Sequence, residues 1–182
     1  MNKNLLLTGL PGSGKTTVIK KVIDILKSRD DAPPMSGFYT QEVRKEGQRV
    51  GFLIKTLKGR EGYLAHKDFP SPFRVGAYGV SLENLENMVI PVIETADAGL
   101  LIIDEIGKME CFSEHFVRAV TEALDSPIPV IATISQKYDK TIRTFKRRGD
   151  AALFTLSTKN RDQMPVIIVK SLLGDRAEST KK

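Results

Sequence analysis

Residues 9–16 read Gly-Leu-Pro-Gly-Ser-Gly-Lys-Thr, directly after the short apolar run Leu5-Leu6-Leu7-Thr8. Few folds accommodate a strand that enters a loop with glycines at 9, 12 and 14 and leaves it through a helix at Lys15-Thr16. Successive backbone N–H groups then converge on one concavity, backed by the positive end of the helix dipole, and such a concavity holds phosphate. The expected cradle is Gly9, Leu10, Pro11, Gly12, Ser13, Gly14, Lys15, Thr16 and Thr17. Lys15 would reach the β- and γ-phosphates, and the Thr16 hydroxyl would hold Mg²⁺. A glycine-rich turn capping an ordinary helix is the plainer alternative. Against it, the helical stripe begins on cue: Val18, Ile19, Val22, Ile23 and Leu26 recur at helical spacing among Lys20, Lys21 and Lys27.

A second motif tests the first. Gly99-Leu100-Leu101-Ile102-Ile103-Asp104-Glu105 is an unbroken apolar run ending in two carboxylates. A run apolar on both faces reads as a buried central strand of a parallel sheet, and its C-terminal end is where ligands bind in open α/β sheets. Asp104 fits the carboxylate on the metal side, acting mostly through water. Glu105 can take or orient a proton of an attacking water. An acidic cap on the following helix is the competing reading, and the phosphate loop makes it the minor one.

Strand and helix signals alternate along the chain. After Pro33-Pro34, the segments 37–44 and 50–57 flank Lys45-Glu46-Gly47-Gln48, a hairpin turn, and 63–65 adds a third strand. Residues 66–79 read as irregular. Ser81 caps a helix to about Thr95, and Ser113 caps one carrying Phe116, Val117, Val120 and Leu124. Strands are expected over 127–135 and 151–156, and a last helix over 166–173. The pattern predicts an α/β fold: a doubly wound, mostly parallel sheet with an antiparallel β extension. One domain over 1–173 would contain a β-rich insertion at about 37–65, with 174–182 a polar, disordered tail. The loop 157–161 falls at the ligand edge, so Asn160 and Arg161 either approach the base or simply form the turn before the last helix.

Composition limits the partners. No apolar stretch approaches the roughly 18–20 residues that span a bilayer, and the single cysteine, Cys111, suits a reducing cytoplasm. Cys111 reads as a small buried hydrophobe, and with His66 and His115 it makes no zinc cluster. The net charge of +6 concentrates in Lys137, Lys140, Arg143, Lys146, Arg147 and Arg148. A nucleic-acid face is possible there, but no aromatic residues interleave with the charges. A solvated helix face, able to lend one arginine to the phosphates, is favoured. A cytoplasmic monomer without membrane contact is expected.

The chain resembles the cancer-related nucleoside-triphosphatase family. The match rests on GLPGSGKTT at 9–17, GFYTQEVR at 37–44, VGAYGV at 75–80, DEIGKMECFS at 104–113 and NRD at 160–162, which span nearly the whole chain. The resemblance implies a RecA-like variant of the P-loop fold and Mg²⁺-dependent hydrolysis of ATP, GTP and other nucleoside triphosphates. It adds Gly107 and Lys108 to the nucleotide-binding set. Lys108 and Glu110 carry over as family positions without a role that spacing supplies, and Cys111 replaces an expected leucine.

Joined together, these readings make Lys15 and Glu105 the catalytic pair and Thr16 and Asp104 the metal ligands. Thr133 or Ser135 would be the polar partner on the neighbouring strand. Arg44, Arg143 and Arg161 are candidates for the cation at the developing charge, a role worth about 10³–10⁵ in rate where an arginine fills it. A nucleotide or nucleoside kinase and an RNA- or partner-regulated ATPase are the alternatives, since both use the same loop.

Overall fold

The apolar runs of the sequence form the centre of one sheet. The computed structural model describes residues 3–95, 98–137 and 139–174. The chain passes through β1 (Asn4–Gly9), α1 (Lys15–Lys27), β2 (Met35–Lys45), β3 (Gln48–Thr56), β4 (Glu61–His66), β5 (Arg74–Val75), β6 (Tyr78–Val80) and α2 (Leu82–Ile93). It continues through β7 (Leu100–Ile106), a 3₁₀ turn at Glu110–Phe112, α3 (Glu114–Asp125), β8 (Val130–Ser135), α4 (Lys140–Lys146), β9 (Ala151–Leu156) and α5 (Met164–Leu173). The strand order is β5-β6-β4-β3-β2-β7-β8-β1-β9. From β2 to β9 neighbouring strands are parallel, and from β2 to β5 they are antiparallel.

Strand alternation divides the core into two layers. Leu5 and Leu7 of β1 join Ile102 and Ile131 against Val18, Ile19, Val22 and Leu26 of α1 and Ile168 of α5. Leu6 joins Leu101, Ile103 and Ala132 against Leu85 and Val89 of α2, Phe116 and Val120 of α3, and Phe145 of α4. Helices on both faces explain why β1, β7 and β8 are apolar nearly throughout. The sheet is the doubly wound α/β architecture expected.

β2 serves both parts of the sheet. Its first five residues pair in parallel with β7, Met35 opposite Leu100 through Tyr39 opposite Asp104. From Phe38 onward it also pairs antiparallel with β3. The hairpin turns at Glu46 and Gly47, with φ of 50° and 77°, the paired left-handed backbone of a two-residue turn that matches strand twist. The stretch 66–79 is less irregular than expected. Residues 74–75 and 78–80 form a small hairpin that adds to β4 through Ala65 opposite Val80. The last helix begins two residues early because Pro165 fits the first turn, where its missing N–H costs nothing. Of the expected tail, residues 175–182 lie outside the described residues.

One glycine is fixed by the crossing of β2 and β7. Gly37 adopts φ of 129°, and a Cβ placed on it would lie 1.9 Å from the Ile102 carbonyl oxygen. Neither the backbone region nor the space admits a side chain. Gly59 also has a positive φ, 87°, but open space around it. Gly37→Ala is expected to destabilise the protein by about 3 kcal/mol or more, and Gly59→Ala by only about 1 kcal/mol. Urea denaturation of the two variants checks the difference, and equal losses would mean the β2–β7 approach is not rigid.

Candidate functional site

The loop after β1 is shaped by its glycines. Gly12 and Gly14 sit at φ of 77° and 97°, and the Ser13 amide donates back to the Leu10 carbonyl at 3.1 Å. Gly14 precedes α1 with a left-handed backbone and provides no side-chain cap. The Val18 amide donates to the Gly14 carbonyl at 2.9 Å, so the amides of Lys15, Thr16 and Thr17 come before the first helical donor and have no acceptor within the helix. Uncapped donors at the positive end of this 13-residue helix favour an anion. Ser13 Oγ is buried without a partner, whereas Leu10, Pro11, Gly12 and Thr17 are exposed.

Lys15 lies buried across this loop. Its Nζ donates to the Gly9 carbonyl at 3.2 Å and stands 3.7 Å from Glu105 Oε2. Gly9 allows this packing, because a Cβ there would meet Ser13 Oγ at 2.8 Å and the Leu156 carbonyl at 2.9 Å.

Asp104 is wholly buried and is held by three elements. Thr16 Oγ1 donates to Oδ2 at 2.8 Å, Thr133 Oγ1 donates to Oδ1 at 2.5 Å, and the Thr40 amide donates to Oδ2 at 3.4 Å. Burial pushes its pKa up, opposed by the hydrogen bonds from Thr133, Thr16 and Thr40 and by the Lys15 charge. Of the two expected polar partners on β8, Thr133 serves, and it serves Asp104. Ser135 instead accepts from the Lys137 amide at 3.3 Å. Thr16 and Asp104 offer hard oxygen donors side by side, which fits Mg²⁺. Among the described residues no three His, Cys, Asp or Glu side chains form a metal cage.

A bulge brings Glu105 to the same site. Ile103 lies opposite Ala132, but Ile106 lies opposite Ile134, so three steps along β7 match two along β8. In a regular strand adjacent residues point to opposite faces, and the irregularity at Asp104-Glu105 re-aims one of them. The Glu105 side chain is 30% exposed beside the Lys15 ammonium. Burial raises its pKa, the Lys15 charge opposes that rise, and Asp104 adds to it.

The remaining expected residues fall in different places. Gly107 is buried and Lys108 exposed. Asn160 Nδ2 donates to the Thr155 carbonyl at 2.9 Å, and its Oδ1 accepts from the Ser157 amide at 2.8 Å, so its amide group holds the loop after β9. That loop leaves the sheet beside the phosphate loop, since Leu156 lies opposite Gly9. Arg161 is exposed there, 3.9 Å from Asp162. Arg44 is tied to Glu42 at 2.7 Å and to the Gly47 carbonyl at 3.1 Å, and Arg143 is exposed on α4.

Three contributors escape sequence reading. Thr40 acts through its amide, which no residue type reveals. Lys146 sits inside a run of cations, yet its ammonium interacts with both Lys15 and Glu105. Partial burial and the Lys15 charge lower its pKa, and Glu105 opposes them. Glu110 is buried, and its Oε2 accepts from the Gly107 amide at 3.1 Å. Burial, then the facing Glu105 charge, pushes it up to about 8. Cys111 is half-buried, and burial raises its thiol to about 12, in keeping with a packing residue.

β8 separates the loop strand β1 from the acidic strand β7. A phosphate-binding loop on one strand and a carboxylate pair two strands away define the RecA-like variant of the P-loop fold, and this chain has that fold. It belongs to the NTPase family, whose family model matches residues 4–169. Nucleoside-triphosphatase THEP1 of Thermotoga maritima is 43% identical over 96% of this chain and 98% of its own length. Human cancer-related nucleoside-triphosphatase is 37% identical over 97% and 100%. The crystal structure of THEP1 from Aquifex aeolicus superposes with a TM-score of 0.84 at 36% identity, covering 93% of this chain and 99% of that one. The named members are nucleoside-triphosphatases, a class of hydrolases.

The Glu110 carboxyl makes stability depend on pH. Its ordinary value is 4.5, against about 8 in the folded chain. Below the lower value both states keep the proton. Between the two, ionisation favours the unfolded chain, so stability falls as pH rises and levels off once the folded form ionises. Glu110→Gln cannot ionise. It is expected to melt with the parent near pH 4.5 and several degrees above it near pH 7.5. Thermal melts across this range check it; parallel curves would mean that Glu110 ionises normally.

Proposed function

We propose that this chain hydrolyses nucleoside triphosphates to the diphosphate and phosphate, in a Mg²⁺-dependent reaction with weak base preference and Glu105 activating the water. The carrying observation is the contrast between adjacent carboxylates: Asp104 is buried and held by Thr16 and Thr133, while Glu105 is partly exposed beside Lys15. The names of the relatives support the reaction class.

The amides at the start of α1 and the Lys15 ammonium bind the triphosphate. Thr16 and Asp104 would hold Mg²⁺, which would offset the negative charge of the phosphate oxygens. Glu105 accepts a proton as the water oxygen bonds to the γ-phosphorus, and the bond from that phosphorus to the β–γ bridging oxygen breaks. Lys146 adds positive charge close to Lys15, where negative charge accumulates on the γ-phosphoryl oxygens. A partly exposed carboxylate beside the phosphate loop favours water over a kinase acceptor. Arg161, exposed on the loop after β9, would stack on the base without reading its edges, whereas the Asn160 amide bonds Thr155 and Ser157. ATP and GTP are therefore both substrates. The lone cysteine supports a reducing, cytoplasmic setting, and the reading is of a monomer.

Glu105→Gln keeps the shape of the side chain but cannot take a proton from water. Its kcat is expected to fall by about 10²–10⁴, with the Kd for ATP little changed. Asp104→Asn is expected to raise the Mg²⁺ requirement, which Glu105→Gln leaves alone. Single-turnover rates and Mg²⁺ titrations on both variants decide the assignment, and a Glu105→Gln variant within a few-fold of the parent sinks it.

Lys146→Met keeps the apolar stem and removes the charge. A loss of about tenfold in kcat, roughly 1.4 kcal/mol of barrier, is expected at unchanged stability. Parent-like kcat would place the transition-state cation elsewhere, with Arg161→Met and Arg143→Met as the next variants to assay.

A further inference from the structure

Glu110 is a buried carboxyl for which the chemistry above has no use, although it lies five residues beyond the water-activating glutamate. Its Oε2 accepts the Gly107 amide at 3.1 Å, and the Cys111 amide donates to the Gly107 carbonyl at 3.0 Å. The two bonds close the segment 107–111 upon itself through both polar groups of one peptide residue. Gly107 also stands between two carboxyl groups. A Cβ built on it would lie 2.9 Å from Glu110 Oε2 and 3.5 Å from Glu105 Oε1. Only Ile106, the last residue of β7, separates Gly107 from Glu105. A shift of the Gly107 amide therefore displaces the end of the strand that carries Glu105.

We infer that Glu110 is a positioning residue: as a neutral carboxylic acid bonded to the Gly107 amide, it fixes the turn that aims Glu105 at the attacking water. Neutrality follows from the site. The Glu110 side chain is buried, Glu105 and Asp104 face it with negative charge, and its pKa of about 8 keeps the proton at neutral pH. An ionised group there would repel the carboxylate it positions. The acceptor oxygen is what the turn needs, and the charge is not. Loosening such a support can cost much in rate without touching substrate binding, because a displacement of about 1 Å at a reacting group can cost about 10²-fold. This inference rests on the reading of Glu105 as the group that activates water.

Two substitutions separate the oxygen from the charge. Glu110→Gln retains an acceptor for the Gly107 amide and is neutral at every pH. Glu110→Met has similar length and bulk, adapts to buried space and lacks that acceptor. Glu110→Gln is expected to keep kcat within about threefold of the parent, and Glu110→Met to lose at least about tenfold in kcat with the Kd for ATP nearly unchanged. In a Glu105→Gln background, Glu110→Met is expected to add less than about twofold, since a group acting through Glu105 has nothing left to aim. Should Glu110→Met fail to fold, Glu110→Asp, whose shorter chain falls short of the Gly107 amide, must show the same loss and the same cancellation. The inference is overturned if Glu110→Met (or Glu110→Asp in its place) keeps parent kcat, if Glu110→Gln is as impaired as Glu110→Met, or if the loss persists in the Glu105→Gln background. Those results leave an inactive Glu105→Gln variant in place and sink this inference alone. An active Glu105→Gln variant overturns the water-activation reading and this inference with it.

Discussion

Asp104 is the point on which the rest of the site depends. A carboxylate removed wholly from water costs several kcal/mol unless neighbouring dipoles or charges compensate it. Here Thr16 at the start of α1, Thr133 of β8 and the Thr40 amide of β2 supply three donors to its two oxygens. Those donors come from three separate elements around the C-terminal edge of the sheet. Each hydrogen bond therefore also fixes where a helix or strand ends relative to β7. The start of α1, just after the glycine-rich loop, is held to the acidic strand by the Thr16–Asp104 bond, so the loop and β7 share one anchor.

Glu105 shows how little separates a carboxylate that ties elements together from one proposed to activate water. It is the next residue in the chain, yet the bulge opposite β8 gives it a different environment. Burial raises its pKa and Lys15 opposes the rise, keeping it nearer the working range of a base than an exposed glutamate would be. Glu110, behind Gly107, is buried further and carries its proton. Three acidic side chains within seven residues thus differ in depth and in hydrogen-bond donors, and those differences set their separate uses.

The basic segment divides in a comparable way. Asp139 within it caps α4 by accepting the Ile142 amide at 2.8 Å. Arg148 bonds Asp125 at 2.6 Å and Asp150 at 2.7 Å, which ties the end of α3 to the start of β9. The Lys146 ammonium interacts electrostatically with Lys15 and Glu105. A run that reads as one charged face therefore supplies a cap, an internal staple and a cation for the site. Helix geometry sends neighbouring residues in different directions, and net charge does not record direction.

The sequence by itself determined the architecture and the class of enzyme. Apolar runs at 5–7, 100–103 and 130–134 could only be buried strands, and 9–17 could only be a loop feeding a helix, because backbone geometry ties glycine spacing and residue periodicity to local structure. Asp104 and Glu105 were legible for the same reason, as the first carboxylates after a buried run. Tertiary structure alone decided which of Thr133 and Ser135 meets Asp104, that the Asn160 amide is spent on its own loop, that Thr40 contributes a backbone N–H, and that Lys146 and Glu110 face the site. These contacts join residues distant in the chain, or depend on a bulge that one strand acquires only against its neighbour. Their energies arise from burial and orientation in the assembled sheet, which residue type and local spacing do not encode.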